Sequence, residues 1–372
     1  MKLGRRPRVL LLTNIPAPYR LPVFEALGEH VDLTVYFCQG QDLGRLWQVE
    51  VRSECVRYEL LPERNLHLPG SIKVIWNSGL WSRLQHIPFD VYIAGENFTT
   101  FPAVLSMLRA ARRWNRPFIL WSEAIDTPYA SGHPLSNAYR RWLYRQTDAF
   151  IAYGQGAKTY LERRGAPSDR ITIGFQVVPP EQLLAPIADR KALGLSGKTV
   201  VLYVGYFVAR KGLHHLIQAF QAVSGENDVL ALVGSGPQEK RLRAISHSDQ
   251  RIIFPGYFEG AEKASWYAAA DLFVLPTLHD PWGLVVNEAM AFGLPIIVTD
   301  AAGCVRDLLQ DNGLVVPAGD TGALATALAQ LLPDEALRRA MGRRSRHIIS
   351  TYTMKSACDA FLQVIDDACQ KQ

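Results

Sequence analysis

Short apolar runs alternate with helical patterns along the whole of this chain, and the alternation restarts after a cluster of prolines. Strands are expected at 9–13, 33–37, 91–94, 118–121 and 149–152, with helices at 21–27, 103–114 and 137–145 between them. A second series of strands follows at 200–204, 229–233, 252–254, 272–275, 296–298 and 314–316. Strands alternating with helices are the mark of parallel sheets covered by helices. Pro179, Pro180 and Pro186 fall between the two series, as expected of a linker. The predicted fold class is therefore α/β, with two Rossmann-like, doubly wound domains rather than one barrel. Ligands of such sheets sit outside the carboxyl ends of the strands. Two sheets facing each other would enclose a central cleft, so the loops that follow strands are where chemistry is sought.

Length and composition agree with that reading. At roughly 100–200 residues per domain, 372 residues make two. An apolar fraction of 48% and a charged fraction of 20% exclude disorder, collagen and coiled coil for the whole chain. The net charge of +5 is uneven: residues 1–180 hold 22 Lys+Arg against 15 Asp+Glu, and residues 181–372 hold 18 against 20. The two halves are expected to meet different partners. The longest apolar runs are strand-sized, such as Phe273-Val274-Leu275, far below the roughly 20 residues of a membrane span. Val9 to Leu12 is shorter than the roughly 7–15 residues of a secretory h-region, so the start reads as a basic tail and a buried strand. Cys38, Cys55, Cys304, Cys358 and Cys369 are odd in number and form no C-x-x-C pair. That pattern points to a reducing, cytoplasmic compartment rather than to a disulfide framework or a zinc site.

The segment from Pro276 to Pro295 carries the strongest chemical signal. It reads as a strand end, a loop, a tight turn at Gly283, a short helix, and Gly293-Leu294-Pro295 stopping that helix. Free N–H groups at the helix start, near Gly283, Leu284 and Val285, make a ready anion site. Glu288 lies one turn along on the face of Leu284, in a helix that is otherwise nearly all apolar. A carboxylate there needs hydrogen-bond donors, which ribose hydroxyls supply; the alternative is plain solvent exposure.

Asp280 to Glu288, a D-x7-E arrangement followed by A-M-A-F-G-L-P, resembles the E-x7-E segment of glycosyltransferase family 4, retaining enzymes of the GT-B fold. Four further segments fall in that family's order: Val204-Gly205 through Arg210-Lys211-Gly212-Leu213, Val233-Gly234-Ser235-Gly236-Pro237, Phe254-Pro255-Gly256-Tyr257, and Ala270 to Pro276. The likeness is strong over 198–350 and weaker in the first half. It implies an acceptor-binding domain at 1–180, a nucleotide-sugar donor domain at 181–355, and a helix near 356–368 that crosses back to the first domain. It also implies that Lys211, or Arg210 beside it, stabilises the leaving diphosphate. Glu288 would bind the ribose, Leu284 and Val285 N–H groups the phosphate, and Asp280 the donor sugar. Gly205, Tyr206 and Gly234 would line the donor site. Tyr257 lies where the family grips the base, with a core aromatic as the alternative. Two departures stand out: Asp280 is one methylene shorter than the usual Glu, and Tyr206 replaces the usual Arg after the glycine. No D-x-D triplet occurs, so cations and a helix start would take the place of a metal, and no cofactor is expected beyond the nucleotide-sugar substrate.

The acceptor half carries fewer signals. Tyr19 and Arg20 lie in the loop after the first expected strand, Glu96 after the third and Glu123 after the fourth; surface-loop carboxylates are the alternative reading for both glutamates. Arg109, Arg112, Arg113 and Arg116 follow i, i+3, i+4, i+7 spacing and are expected on one helical face. Arg140, Arg141 and Arg145, with Trp142 and Tyr144, form a second cluster. Either cluster is a solvated helix face or a site for anionic lipid headgroups, in which case the acceptor is a lipid-linked saccharide and the enzyme a peripheral one. No basic-aromatic nucleic-acid module appears. The rivals are another GT-B reaction, such as epimerisation or phosphorolysis, and a degenerate nucleotide-sugar-binding subunit. An NAD oxidoreductase is disfavoured, because no G-x-G-x-x-G follows the first strand of either half.

Overall fold

The computed structural model describes residues 5–40, 51–68, 72–127, 134–178 and 189–370. The prolines of the expected linker lie outside the described residues. The chain divides into two compact units, one of residues 1–124, 132–176 and 354–372, the other of 125–131 and 177–353.

The first unit holds strands β1 (Arg8–Thr13), β2 (Asp32–Phe37), β3 (Val56–Leu60), β4 (Glu63–Leu68), β5 (Ile72–Asn77), β6 (Val91–Gly95), β7 (Phe118–Ser122), β8 (Ala149–Tyr153) and β9 (Ile171–Gly174). Seven of them form a parallel sheet in the order β3-β2-β1-β6-β7-β8-β9, while β4 and β5 pair separately as an antiparallel hairpin. Val9, Leu10, Val91, Ile93, Ile119 and Ile151 are wholly buried, because helices cover both faces of a parallel sheet. The helices are α1 (Leu21–Gly28), α2 (Leu80–Leu84), α3 (Phe101–Arg113), α4 (Pro134–Arg145) and α5 (Gly154–Arg163). In α3, Ala103, Val104, Met107, Leu108, Ala110 and Ala111 are buried, which leaves Arg109, Arg112 and Arg113 exposed on the opposite face.

The second unit holds β10 (Thr199–Val204), β11 (Asp228–Val233), β12 (Ile252–Gly256), β13 (Leu272–Leu275), β14 (Ile296–Thr299) and β15 (Gly313–Val316), all parallel, in the order β12-β11-β10-β13-β14-β15. Its helices are α6 (Leu213–Val223), α7 (Glu239–Ile245), α8 (Gly260–Ala269), α9 (Leu284–Ala291), α10 (Val305–Leu308), α11 (Thr321–Leu331) and α12 (Glu335–Ile349). Asp320 and Asp334 cap α11 and α12, each accepting a backbone N–H of the first turn at 2.9 and 2.8 Å. The last helix, α13 (Met354–Gln370), belongs to the first unit. It packs on α1, β8 and β9, with Phe361 set edge-on to Trp121 at 5.4 Å.

Counting only the strands of its own sheet, each sheet runs 3-2-1-4-5-6, the first adding a seventh strand. The order reverses between β1 and β6 in one unit and between β10 and β13 in the other. These are the switch points outside which ligands of open parallel sheets bind.

Candidate active site

In the second unit the loops after β10, β11 and β13 converge at the carboxyl ends of their strands. Gly234 donates its N–H to Gly256 O at 2.7 Å, and a Cβ added to Gly234 would sit 1.9 Å from Gly205 O. A Cβ on Gly212, at φ 66°, would meet Pro276 O at 2.2 Å. Only glycine permits these backbone-to-backbone approaches. Leu278 N–H and the Thr277 hydroxyl both donate to Arg210 O, at 2.7 and 3.1 Å, tying the loop after β13 to the loop after β10.

That tie brings Lys211 and Asp280 together. Their side chains are 11% and 12% exposed, and Nζ donates to Oδ2 in a buried ion pair. Burial alone would raise the Asp280 carboxyl. The Lys211 charge and hydrogen bond, with Arg210 and the Trp282 N–H, outweigh burial and hold it below its ordinary value. Arg210 is separated from Lys211 in role: its guanidinium is exposed and donates to His279 O at 3.0 Å. Burial lowers the pKa of His279, whose Nδ1 lies 3.0 Å from the Thr127 hydroxyl.

Gly283, at φ 95°, opens α9, and no side chain caps the helix. Its first-turn N–H groups at Leu284 and Val285 are partly exposed positions, as an anion site requires. Glu288, 6% exposed, follows one turn later. It is not a solvent-facing surface carboxylate: Lys263 donates to one oxygen at 2.9 Å and Tyr267 to the other at 2.6 Å. Neither donor was visible in the sequence, where nothing links α8 to a glutamate more than twenty positions on. Tyr206 is half-buried, and Tyr257 is 42% exposed with its hydroxyl on Glu259, so Tyr257 is no core aromatic.

In the first unit a small open pocket lies at the β1/β6 switch point, lined by Thr13, Asn14, Arg20, Glu96, Trp121 and Glu123 among others. Arg20, 8% exposed, donates to Thr13 at 3.0 Å, Asn14 at 3.1 Å and Glu123 at 2.9 Å, with its guanidinium 4.9 Å from the Trp121 ring centre. Burial pulls its pKa down, but Tyr19 and Glu123 more than offset that and it stays charged. Tyr19 is half-buried beside it, its ring 5.6 Å from the same guanidinium. Gln176 reaches Glu123 at 3.5 Å.

The structure removes one alternative on this side and corrects two expectations. Glu96 is no surface-loop carboxylate: its side chain is 3% exposed and receives Ser122, Arg140 at 2.7 Å and Tyr144 at 2.8 Å. Arg140 and Tyr144 therefore turn inward, leaving Arg141, Trp142 and Arg145 exposed on α4. The four-arginine face is also shorter than its spacing predicts. Helix α3 ends at Arg113, Asn115 takes φ 51°, and Arg116 lies beyond the helix, near Asp90 at 3.9 Å. Arg112 is paired with Asp148 at 3.2 Å and with Gln146 O.

Among the described residues no group of three or more His, Cys, Asp or Glu is placed to hold a metal ion, and no helix is long and apolar enough to cross a membrane.

The sequence matches two family descriptions, "Glycosyl transferase 4-like domain" over residues 17–174 and "Glycosyl transferases group 1" over residues 198–334. The lipopolysaccharide core biosynthesis glycosyltransferase LpsE of Rhizobium meliloti is 32% identical over 173 residues, 45% of this chain and 49% of that protein. The match thus spans about half the length of that relative. Alpha-D-kanosaminyltransferase of Streptomyces kanamyceticus is 25% identical over 356 residues, 91% of this chain and 85% of that one. Among solved structures, Anabaena Alr3699/HepE in complex with UDP superposes with a TM-score of 0.76 at 17% identity, covering 97% of this chain and 100% of that chain. Two Rossmann-like units of this kind define the GT-B architecture. The chain belongs to glycosyltransferase family 4.

Proposed function

We propose that the protein transfers a sugar from a nucleoside-diphosphate sugar to a glycan or lipid-linked saccharide, with retention at the anomeric carbon and without a metal ion. The second unit binds the donor and the first unit the acceptor. One observation carries this reading: Lys211 pairs with Asp280 in the loop after β13, and that loop opens through Gly283 into the uncapped α9 that carries the buried Glu288. The N–H groups of Leu284 and Val285 bind phosphate, and Glu288 binds the ribose. Lys211 leaves Asp280 for the diphosphate as negative charge grows on it, which places a cation where the transition state needs one. Asp280, released, accepts a hydroxyl of the donor sugar. Gly205, Tyr206 and Gly234 wall the site, Tyr257 meets the base, and the Arg210 guanidinium adds positive potential. On the acceptor side Arg20 anchors Glu123 beside the pocket that takes the acceptor hydroxyl, while Glu96 supports the pocket wall.

The relatives support the substrate class: LpsE is named for lipopolysaccharide core biosynthesis and the Anabaena structure contains UDP. The excess of basic residues in the first half supports a site at the inner face of a membrane, through the exposed Arg109 and Arg113 of α3 and Arg141, Trp142 and Arg145 of α4. A thermal-shift screen of nucleoside diphosphates and nucleotide sugars tests the donor, since a tight ligand raises the melting point. Nucleotide release that requires an added saccharide or lipid-linked acceptor tests transfer. No shift with any nucleotide would sink the reading, and release without an acceptor would favour epimerisation or hydrolysis.

A further inference from the structure

Two side chains at the proposed ribose site are singled out by neither the sequence motifs nor the family likeness. Lys263 Nζ donates to Glu288 Oε1 at 2.9 Å, and the Tyr267 hydroxyl donates to Glu288 Oε2 at 2.6 Å. They stand four residues apart on α8, so one helical face presents both. Tyr267 is buried, its ring stacked on Phe292 at 5.6 Å and 11° and lying 6.0 Å from Phe273. Burial first, and the Glu288 charge second, push its phenol well above the ordinary value, so it stays protonated and donates.

A carboxylate offers about four lone-pair sites, two on each oxygen. Lys263 occupies one on Oε1 and Tyr267 one on Oε2, which leaves one acceptor site on each oxygen of a nearly buried group. Two hydroxyls side by side, as in a cis-diol, fill both. A single hydroxyl leaves one buried acceptor short of a donor, which costs free energy.

We propose that Lys263 and Tyr267 are positioning residues that make Glu288 a bidentate receptor for a cis-diol and so select a ribonucleotide donor over a deoxyribonucleotide. The inference rests on Glu288 being the ribose ligand of the proposed function. Lys263 and Tyr267 each hold one carboxylate oxygen and so fix its rotation, and neither touches the reacting atoms.

The test is calorimetry on the full chain with UDP, GDP and ADP, taking the tightest forward with its 2′-deoxy and 3′-deoxy forms. The wild-type protein is expected to prefer the ribose form by about tenfold or more, the worth of one hydrogen bond to a charged group. Tyr267→Phe, which keeps the ring stack, and Lys263→Met should each reduce that preference to about twofold while binding of inorganic pyrophosphate changes little. Loss of overall affinity with the preference intact is what a merely structural role would give, and it overturns the inference. So does full preference in both variants when Glu288→Gln has lost it, although the ribose reading then stands. Equal wild-type affinity for ribose and deoxyribose forms, or no binding of any of the three nucleotides, removes the ribose reading itself. Should Tyr267→Phe lose its near-ultraviolet circular dichroism, Lys263→Met alone decides, its side chain being 23% exposed.

Discussion

At the switch point of the second unit the buried cation is a lysine, and at that of the first unit it is an arginine. Both are paired with a carboxylate from another strand end, Lys211 with Asp280 and Arg20 with Glu123. The surroundings differ. Among the described residues the Lys211 ammonium has Asp280 as its only ion-pair partner, and a point charge on a flexible stem can leave one anion for another. Arg20 is held by Thr13, Asn14, Glu123 and the face of Trp121 together, so it cannot turn to a new partner without breaking several contacts at once. The same strand order thus hosts a labile pair suited to charge that appears during a reaction, and a fixed pair suited to shaping a pocket.

Removing the labile cation should have the largest effect. Lys211→Ala is expected to lower turnover by about 10²–10³-fold, the usual cost of losing one transition-state donor. It should also destabilise the fold by about 3–5 kcal/mol, because Asp280 remains buried without its partner. Replacing both, Lys211→Met with Asp280→Leu, should recover much of that stability and none of the turnover. Steady-state kinetics beside urea titrations read both quantities, and a double variant that turns over normally would show that the pair is structural.

Arg20 should behave in the opposite way. Arg20→Lys is expected to cost about 2 kcal/mol in urea titrations, since an ammonium cannot reproduce the guanidinium fork or its stacking on Trp121. The cost stays small because the Glu123 side chain is 35% exposed and water screens the pair. A fully stable Arg20→Lys would mean that the two switch points are not different in kind.

Acid gives a smaller and more selective difference. The Asp280 carboxyl is held below its ordinary 3.8, chiefly by Lys211 acting against the cost of burial. A depressed carboxyl contributes stability above the unfolded-state value and loses it as pH falls through the folded one. The wild-type urea midpoint should therefore carry an Asp280 contribution that is steady from neutral pH down to about 4 and declines below that. Asp280→Asn should lack that decline, and identical acid limbs in the two proteins would remove the pair from the account.

The same contrast explains what the sequence let through. The strands of both parallel sheets that are buried on two faces were legible as apolar runs, 200–204 and 272–275 to within a residue of β10 and β13. Four strands escaped: β5 and β9, although Val74, Ile75 and Ile171 are buried, and two that are largely exposed. β3 reads Val-Arg-Tyr-Glu-Leu, and Glu63 to His67 of β4 are all exposed, so no apolar run marks either. Polar edges discourage pairing between molecules and erase the signal that periodicity depends on. At the site, Gly283 and Glu288 could be named from the local pattern, and Lys211 and Asp280 from the family resemblance, because all four fall within short motifs of contiguous sequence. Lys263 and Tyr267 could not, since only tertiary packing carries α8 to Glu288. The inward turn of Arg140 was hidden for the same reason: a helical wheel places a side chain on a face but does not say which carboxylate waits there.

The surface arginines give the smallest expected effect and the finest test of the first unit. The i, i+3, i+4, i+7 spacing treats four arginines as equivalent, whereas the structure sorts them. Among the described residues Arg109 and Arg113 make no ion pair, while Arg112 is tied to Asp148 and Arg116 lies past the helix end near Asp90. A basic residue near an anionic membrane contributes about 1 kcal/mol, and one already neutralised contributes less. Sedimentation with vesicles rich in phosphatidylglycerol should therefore show about fivefold weaker binding for Arg109→Ala and for Arg113→Ala, and a smaller change for Arg112→Ala. Raising the salt concentration should weaken wild-type binding and narrow the gap between wild type and variants together, because screening acts on the same charges. Equal losses at all three positions would mean that bulk charge attracts the protein rather than a face of α3. No vesicle binding by the wild type would turn the basic half into a solvated surface and leave a soluble saccharide as its acceptor.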